Sequence, residues 1–173
     1  MIAVASVSAL RPLKFAPVAP ARALPANVLA FIEGFALGVE ADIGNVTLCT
    51  QDANIALGDF ENAFYSLENG MKRLSPKLIE TGLKEFGAGV QEVAIALKAC
   101  NVNEIVARIE EIAKELQSGP GGIVKVIVHE IVNIFHNGRD IASEFKKAIS
   151  FWKLQKWELC GVQVGKIVGI LLE

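Results

Sequence analysis

Apolar residues recur at helical spacing along almost the whole chain after residue 25, and this periodicity restricts the fold more than any other feature. Near the start, Val28, Ile32, Phe35 and Val39 follow the i, i+4, i+7, i+11 spacing of one buried helix face. The same spacing returns in successive segments up to the C-terminal residues. We therefore predict an all-α fold, a single-domain bundle of about six helices across residues 26–173.

Proline, glycine and asparagine mark the predicted ends of these helices. Ser75 followed by Pro76 is typical of an N-cap with proline at the first helical position. Asn69-Gly70 is predicted to end the preceding helix, with the glycine as a left-handed cap. Asn103 is predicted to cap a later helix. Predicted helices start near residues 26, 46, 76, 103, 123, 139 and 156.

The run from Ile123 to Val128 is β-branched, which is also typical of a strand. The apolar pattern continues at helical spacing through Ile131 and Phe135, and no other segment reads as a partner strand. A lone strand cannot satisfy its own backbone hydrogen-bonding groups. We therefore predict a helix here.

Residues 1–25 differ from the rest of the chain. A short apolar run is followed by basic residues and prolines, and no acidic residue appears before Glu33. The small residues around Arg22 resemble a secretory cleavage site, whereas the basic, acid-poor composition also suits an organelle transit segment and hence a mitochondrial alternative. The remaining interpretation is an extended, Pro-rich arm that docks on another surface. The sequence leaves these alternatives open.

The charge balance limits the classes of partner. The formal net charge is −2, which argues against nucleic acid, since such a partner favours a strongly basic face. Hydrophobic residues make up 52% of the chain and its mean hydropathy is +0.41. No uncharged stretch approaches the roughly 20 residues of a membrane span, so a transmembrane protein is not predicted. We expect a protein partner, another copy or a lipid to cover apolar surface.

Cys49 and Cys100 are predicted to meet at the open end of a helical hairpin. Such a disulfide would close a loop of about 50 residues and stabilise the fold by roughly 4 kcal/mol. The alternative is two buried free thiols. Cys160 lies on an apolar helix face and is interpreted as a core residue.

A sequon at Asn45 predicts N-glycosylation in an exposed break between helices. A disulfide, a glycan and a signal segment together favour a secreted protein or one in an organelle lumen. His129 and His136 are two helical turns apart, but position 133 is Asn, so the His-Glu-x-x-His spacing of a zinc site is missing. No metal, cofactor or catalytic residue is predicted.

Glycines spaced four apart lie on one face of two helices: Gly34 and Gly38 near the start, and Gly161, Gly165 and Gly169 near the end. Small residues at this spacing let helix backbones approach closely. We expect the first helix to pack on the last. The alternative is that one of these faces binds another copy or an acyl chain.

Several of these residues occur together in a recognisable order: Phe31-x-x-Gly34-x-x-x-Gly38, Cys49-x-x-Asp52, Cys100, Asn137-Gly138-x-Asp140-Ile141 and Gly161-x-x-x-Gly165. With them the chain resembles an uncharacterised family of small helical proteins associated with ciliates and other protists. The resemblance covers roughly residues 31–172. It implies a helical fold and supports pairing of the two cysteines that match by position, and it implies no activity.

The sequence thus favours a non-enzymatic interaction or structural protein, an assembling or accessory subunit that contacts a protein partner or other copies of itself. The alternative is a secreted or lumenal carrier of a hydrophobic, lipid-like ligand. An enzyme is not expected, because catalysis needs titratable residues gathered in a pocket and those of this chain fall on solvated helix faces.

Overall fold

In the part of the chain that the structure describes, the helical spacing is realised as seven α-helices and a short 3-10 turn at Lys98–Cys100. The computed structural model describes residues 26–40, 50, 57–119, 121–133 and 141–172, and every regular element in these ranges is helical. The predicted all-α bundle is confirmed, while the arm at 1–25 lies outside the described residues. The helices are α1 (Ala26–Gly38), α2 (Gly58–Arg73), α3 (Pro76–Leu97), α4 (Asn103–Gln117), α5 (Gly122–Asn133), α6 (Ile141–Lys153) and α7 (Trp157–Leu172).

The turn between α2 and α3 confirms one predicted cap and corrects another. The Ser75 hydroxyl accepts a hydrogen bond from the Leu78 N–H at 3.3 Å, as an N-cap should. Gly70 does not end α2 but lies buried within it. A Cβ on Gly70 would lie 2.9 Å from the backbone nitrogen of Ile79, so the start of α3 occupies the space beside this glycine. The helix continues past this contact, and Leu74 takes the left-handed conformation with φ 51°.

One further predicted helix start is corrected by the structure, and another lies outside the described residues. α2 begins at Gly58, with Leu57 in a non-helical conformation and its side chain buried at the N-cap, while the predicted helix start near residue 46 lies outside the described residues. Asn103 is the first residue of α4 and not its cap; Val102 holds the cap position without a side-chain hydrogen bond. The β-branched run is confirmed as helical, with Ile127 among its buried residues.

The first and last described helices, α1 and α7, run in the same direction and touch through their backbones. A Cβ on Gly34 would collide with the carbonyl oxygen of Glu158, and one turn later a Cβ on Gly38 would lie 2.9 Å from the Cα of Gly165. Contacts this short leave no space for any side chain. Glycine is therefore required for the observed distance between the two helices.

The three glycines of α7 are not equivalent. A Cβ on Gly161 would collide with the carbonyl oxygen of Phe31, and a Cβ on Gly165 would lie 2.9 Å from the Cα of Gly38. At Gly169 the nearest atom, the carbonyl oxygen of Gly38, is 3.9 Å away, which is ordinary van der Waals contact. The close approach thus involves the first two glycines of this helix and leaves space at the third.

A line of phenylalanine rings crosses the core and joins four helices. Phe31 of α1 lies 4.8 Å from Phe60 of α2, measured between ring centroids. Phe60 lies 5.7 Å from Phe86 of α3, and Phe86 lies 5.1 Å from Phe145 of α6. The last two contacts are edge-to-face, an arrangement that adds about 0.5–1.5 kcal/mol to the burial of each pair.

Glycines inside α3 admit side chains from its neighbours. A Cβ on Gly89 would lie 2.8 Å from the ring of Phe60, and a Cβ on Gly87 would lie 2.8 Å from the Cβ of Leu116. Glycine costs a helix about 1 kcal/mol relative to alanine. At Gly87 and Gly89 the absence of a side chain allows α4 and α2 to pack closely against α3.

Arg108 has a specific role that the sequence did not reveal. Its position among charged residues indicated a solvated face of α4. In the structure its guanidinium donates a 2.7 Å hydrogen bond to the carbonyl oxygen of Leu172 at the end of α7. The final carbonyls of a helix have no partners within it, so this contact ties α4 to the C-terminal end of α7.

Candidate functional site

The candidate site is a groove of about 300 Å³ between α2 and α6. The two helices are held side by side by a ring contact of 5.4 Å between Phe64 and Trp152 and by an ion pair between Glu68 and Lys153. Seven residues line the groove: Glu68, Met71, Lys72, Lys146, Ile149, Ser150 and Lys153.

Helical spacing explains why these residues share a groove. Residues 68, 71 and 72 are three and four apart on α2, and residues 146, 149, 150 and 153 repeat this spacing on α6. Side chains at such intervals lie on one helix face. Ile149 is only 6% exposed and Met71 packs against the core, so the floor of the groove is apolar. The charged residues lie above this floor.

The rim of the groove carries an excess of positive charge. Three lysines against one glutamate leave a formal charge of +2. Glu68 pairs with Lys153 and lies 3.8 Å from the ammonium of Lys72, so its charge is shared between two of the lysines. Lys146 forms no ion pair with any described residue, and the hydroxyl of neighbouring Ser150 forms no hydrogen bond within the described part of the chain.

Two of the lysines have a structural explanation that does not require a ligand. Lys72 lies in the last turn of α2 and Lys153 in the last turn of α6, where positive charge stabilises the helix dipole. Lys146 lies in the middle of α6, away from that end. Its charge is balanced neither by a helix terminus nor by a counter-ion among the residues that the structure describes.

Cys160 is confirmed as a core residue. It is fully buried on α7, and its thiol donates a hydrogen bond of 3.4 Å to the carbonyl oxygen of Ala148 on α6. Burial raises the pKa of this thiol to about 12. The thiolate is the nucleophilic form of cysteine, so Cys160 is unreactive in the folded protein.

The other residues singled out from the sequence are only partly covered by the structure. Cys49, Asn45 and His136 lie outside the described residues, so the Cys49–Cys100 disulfide and the glycan at Asn45 stay predictions. Cys100 is half-buried against the core, in the turn after α3, and His129 is exposed on α5. Within the described ranges, no cluster of His, Cys, Asp or Glu residues has the composition of a metal site.

Asp59 of α2 and Glu92 of α3 form an acidic pair that the sequence analysis did not predict. Burial raises the pKa of Glu92 above its ordinary value, and the negative charge of Asp59 and a hydrogen bond to it raise that pKa further. The two residues are 33 positions apart in the sequence and meet only because the hairpin places them side by side.

We predict that Glu92 contributes more to the stability of the native state in mild acid than at neutral pH. Because the folded-state pKa of Glu92 is raised, its contribution is fully present below the ordinary pKa and is lost as pH rises through the raised value. Replacing Glu92→Gln should therefore raise the melting temperature near pH 7 and change it little near pH 4. Thermal unfolding followed by circular dichroism measures this.

The control for this prediction is Glu111→Gln, at an exposed position of α4. It should leave the difference in melting temperature between the two pH values as in the original chain. An unchanged pH dependence in Glu92→Gln would contradict the assignment.

The described residues define a class of protein: an all-α bundle that is closed by a parallel, glycine-packed pair of helices and carries a lysine-rimmed groove on one side. None of the described helices has the length and apolar content needed to cross a membrane. Residues 14–173 match the family described as SctB-like, secreted protein B-like, and the chain belongs to this family.

Relatives in Dictyostelium discoideum carry the same kind of name. Secreted protein A is 37% identical over 148 residues, which are 85% of each of the two proteins. Secreted protein B is 37% identical over 144 residues, 83% of this chain and 78% of the relative. Secreted protein C is 44% identical over 148 residues, 85% of this chain but only 30% of the longer relative. No solved structure matches the chain.

These relatives correct the resemblance drawn from the sequence. The family is a protist one, as expected, but the relatives come from Dictyostelium and not from ciliates, and the family is named for secretion. The mitochondrial alternative finds no support among them. The family match also begins at residue 14 and so includes part of the segment that the resemblance left out.

Proposed function

We propose that this chain is a secreted protein that acts by non-covalent interaction and not by catalysis. The observation that carries the proposal is the match to relatives named secreted proteins, two of which align over most of their own length. The predicted signal segment, sequon and disulfide support the same compartment. The chain spans only 30% of secreted protein C, so the proposal does not extend to the role of that longer relative.

Secretion is tested by expressing the full chain, with a C-terminal tag, in Dictyostelium discoideum. We expect the tagged protein in the medium, with a new N-terminus inside residues 1–25 by mass spectrometry. Enzymatic deglycosylation should lower its mass, and Asn45→Gln should abolish that shift. Retention in the cytosol or in mitochondria, with an intact N-terminus, would contradict the proposal.

A thiol count tests the predicted disulfide independently. The chain has three cysteines, and pairing of Cys49 with Cys100 would leave only Cys160 as a thiol. The unfolded, non-reduced protein should therefore react with one equivalent of Ellman's reagent, and the reduced protein with three. Three equivalents without reduction would show that the two cysteines are unpaired. Cys160→Ser should bring the non-reduced count to zero.

The non-catalytic part of the proposal is supported by the groove. Its polar groups Lys146, Ser150 and Lys153 are exposed at the rim, and the buried residues beneath them are apolar. Catalytic groups are usually held in a desolvated pocket that perturbs their pKa. The groove provides surface for binding and lacks such an enclosure.

Assembly with a protein partner or with other copies is our first candidate for the interaction. Large apolar side chains are exposed on α3, on α5 and in the turn after α6: Ile95 is 51% exposed, Val126 59% and Leu154 61%. Contact with another protein would remove them from water. Native mass spectrometry of the secreted protein should show discrete oligomers, which dissociate when these residues are replaced by serine. A monomer at all concentrations would contradict self-assembly.

Transport of a hydrophobic ligand is the second candidate, and the groove favours it. An apolar floor beneath charged side chains is suited to a ligand with an apolar body and one polar end. The same native spectra should then contain a co-purified small molecule bound to a monomer. Oligomerisation and ligand binding are thus distinguished in one measurement.

A further inference from the structure

We propose that the groove between α2 and α6 binds a single-chain amphiphile with a carboxylate head, such as a medium-chain fatty acid. The head would lie at Lys146 and Ser150, and the chain would lie along Met71 and Ile149. This deepens the second candidate function by naming its ligand class. It is tested on the purified chain, so its failure is distinguishable from a failure of secretion.

The floor of the groove supplies the apolar half of the site. Ile149 is nearly buried in the core, and Met71 packs against the same core from α2. Methionine is unbranched and polarizable, so it adapts to chains of different shape. An alkyl chain lying here would cover these side chains and remove their apolar surface from water, which favours binding.

The head group follows from the unbalanced charge. Glu68 already interacts with Lys72 and Lys153, whereas Lys146 has no counter-ion among the described residues. Ser150 follows Lys146 by four residues, one helical turn, and both line the groove. An ammonium and a hydroxyl side by side can donate two hydrogen bonds to one carboxylate, and bonds to an ionised acceptor are about twice as strong as neutral ones.

The size of the groove limits the length of the ligand. At about 300 Å³ it lies at the lower end of the range for small-molecule sites. One alkyl chain fits such a volume better than the two chains of a phospholipid. A small inorganic anion would need only the lysines and would leave the apolar floor exposed. An apolar floor together with a positively charged rim therefore favours a single-chain amphiphile over a phospholipid or an inorganic anion.

Isothermal titration of the full chain with dodecanoate, below the concentration at which it forms micelles, tests the proposal. Lys146→Gln should weaken binding about tenfold, the effect of losing one charge-assisted hydrogen bond. Lys125→Gln is the matched control, since Lys125 is an exposed lysine on α5 outside the groove. It should bind dodecanoate as the original chain does.

A second variant tests the apolar floor. Met71→Gln keeps the length of the side chain and should also weaken binding several-fold, while Lys146 remains in place. Circular dichroism of each variant shows whether the fold is retained. Because Lys146 is exposed, its replacement should leave the midpoint of the unfolding transition where it is in the original chain.

Four outcomes would overturn the proposal. Absence of dodecanoate binding would show that the groove is not a site for such an amphiphile. Equal binding of dodecanol would show that the carboxylate is not recognised. Equal binding of inorganic phosphate would show that the apolar floor is not used. Binding to anionic phospholipid vesicles without binding to monomeric dodecanoate would indicate a membrane surface as the partner. Preference for dodecanoate, lost in Lys146→Gln and kept in Lys125→Gln, would establish it.

Discussion

Replacing Gly161→Ala is expected to destabilise the native state by about 3 kcal/mol, the upper part of the usual range for overpacking. The added Cβ would collide with the carbonyl oxygen of Phe31. Both groups belong to helix backbones, so neither can turn aside as a flexible side chain would. α1 and α7 would have to separate, and the close packing on either side of Gly161 would be lost. Denaturant unfolding followed by circular dichroism measures the change in free energy.

The same helix offers a matched control in Gly169→Ala. A Cβ at Gly169 meets its nearest atom at 3.9 Å and needs no movement of α1. Alanine is the better helix former by about 1 kcal/mol, so this variant should be as stable as the original chain or slightly more stable. Equal destabilisation by the two substitutions would mean that helix–helix contact at Gly161 is not the cause.

The other large effect is expected from Phe86→Ala, which should destabilise the fold by about 3–5 kcal/mol. Phe86 is fully buried, and its ring lies edge-to-face against Phe60 at 5.7 Å and against Phe145 at 5.1 Å. Truncation leaves a cavity where three helices meet and removes both ring contacts. The midpoint of unfolding in guanidinium chloride should fall accordingly.

Tyr65→Ala is the control for this variant, because Tyr65 is aromatic but 73% exposed. We expect a change within about 0.5 kcal/mol, as for most surface substitutions. If Phe86→Ala also unfolded at the original midpoint, Phe86 would not be part of a close-packed core and the line of phenylalanines would be wrong.

The spacing of the glycines predicted part of the contact between α1 and α7. Spacing of four predicted a face without side chains on the first and last helices, and these faces lie against each other in the structure. The spacing did not predict that the helices are parallel, nor that Gly169 lies beyond the close contact. Both facts depend on how α1 lies along α7. The spacing of residues within one helix carries no information about that arrangement.

The groove illustrates what the sequence did not show. The spacing of Lys146, Ile149, Ser150 and Lys153 places them on one face of a helix, but a stripe of lysines above apolar residues is ordinary for a surface helix. The signal appears only when α2 lies alongside, because Glu68 then pairs with Lys153 of α6 as well as with Lys72 of its own helix, and Lys146 has no ion pair among the described residues. The Glu68–Lys153 pair joins residues 85 positions apart.

By itself the sequence determined which segments are helical, including the β-branched α5 and the cap at Ser75, because periodicity and capping are properties of neighbouring residues. Only the tertiary structure decided that Gly70 stays inside α2, that Arg108 binds the end of α7, and that Glu92 lies beside Asp59. Each of these depends on contact between distant segments. Such contacts are selected by the packing of the whole core, where the best fit of many side chains overrides the preference of any one turn.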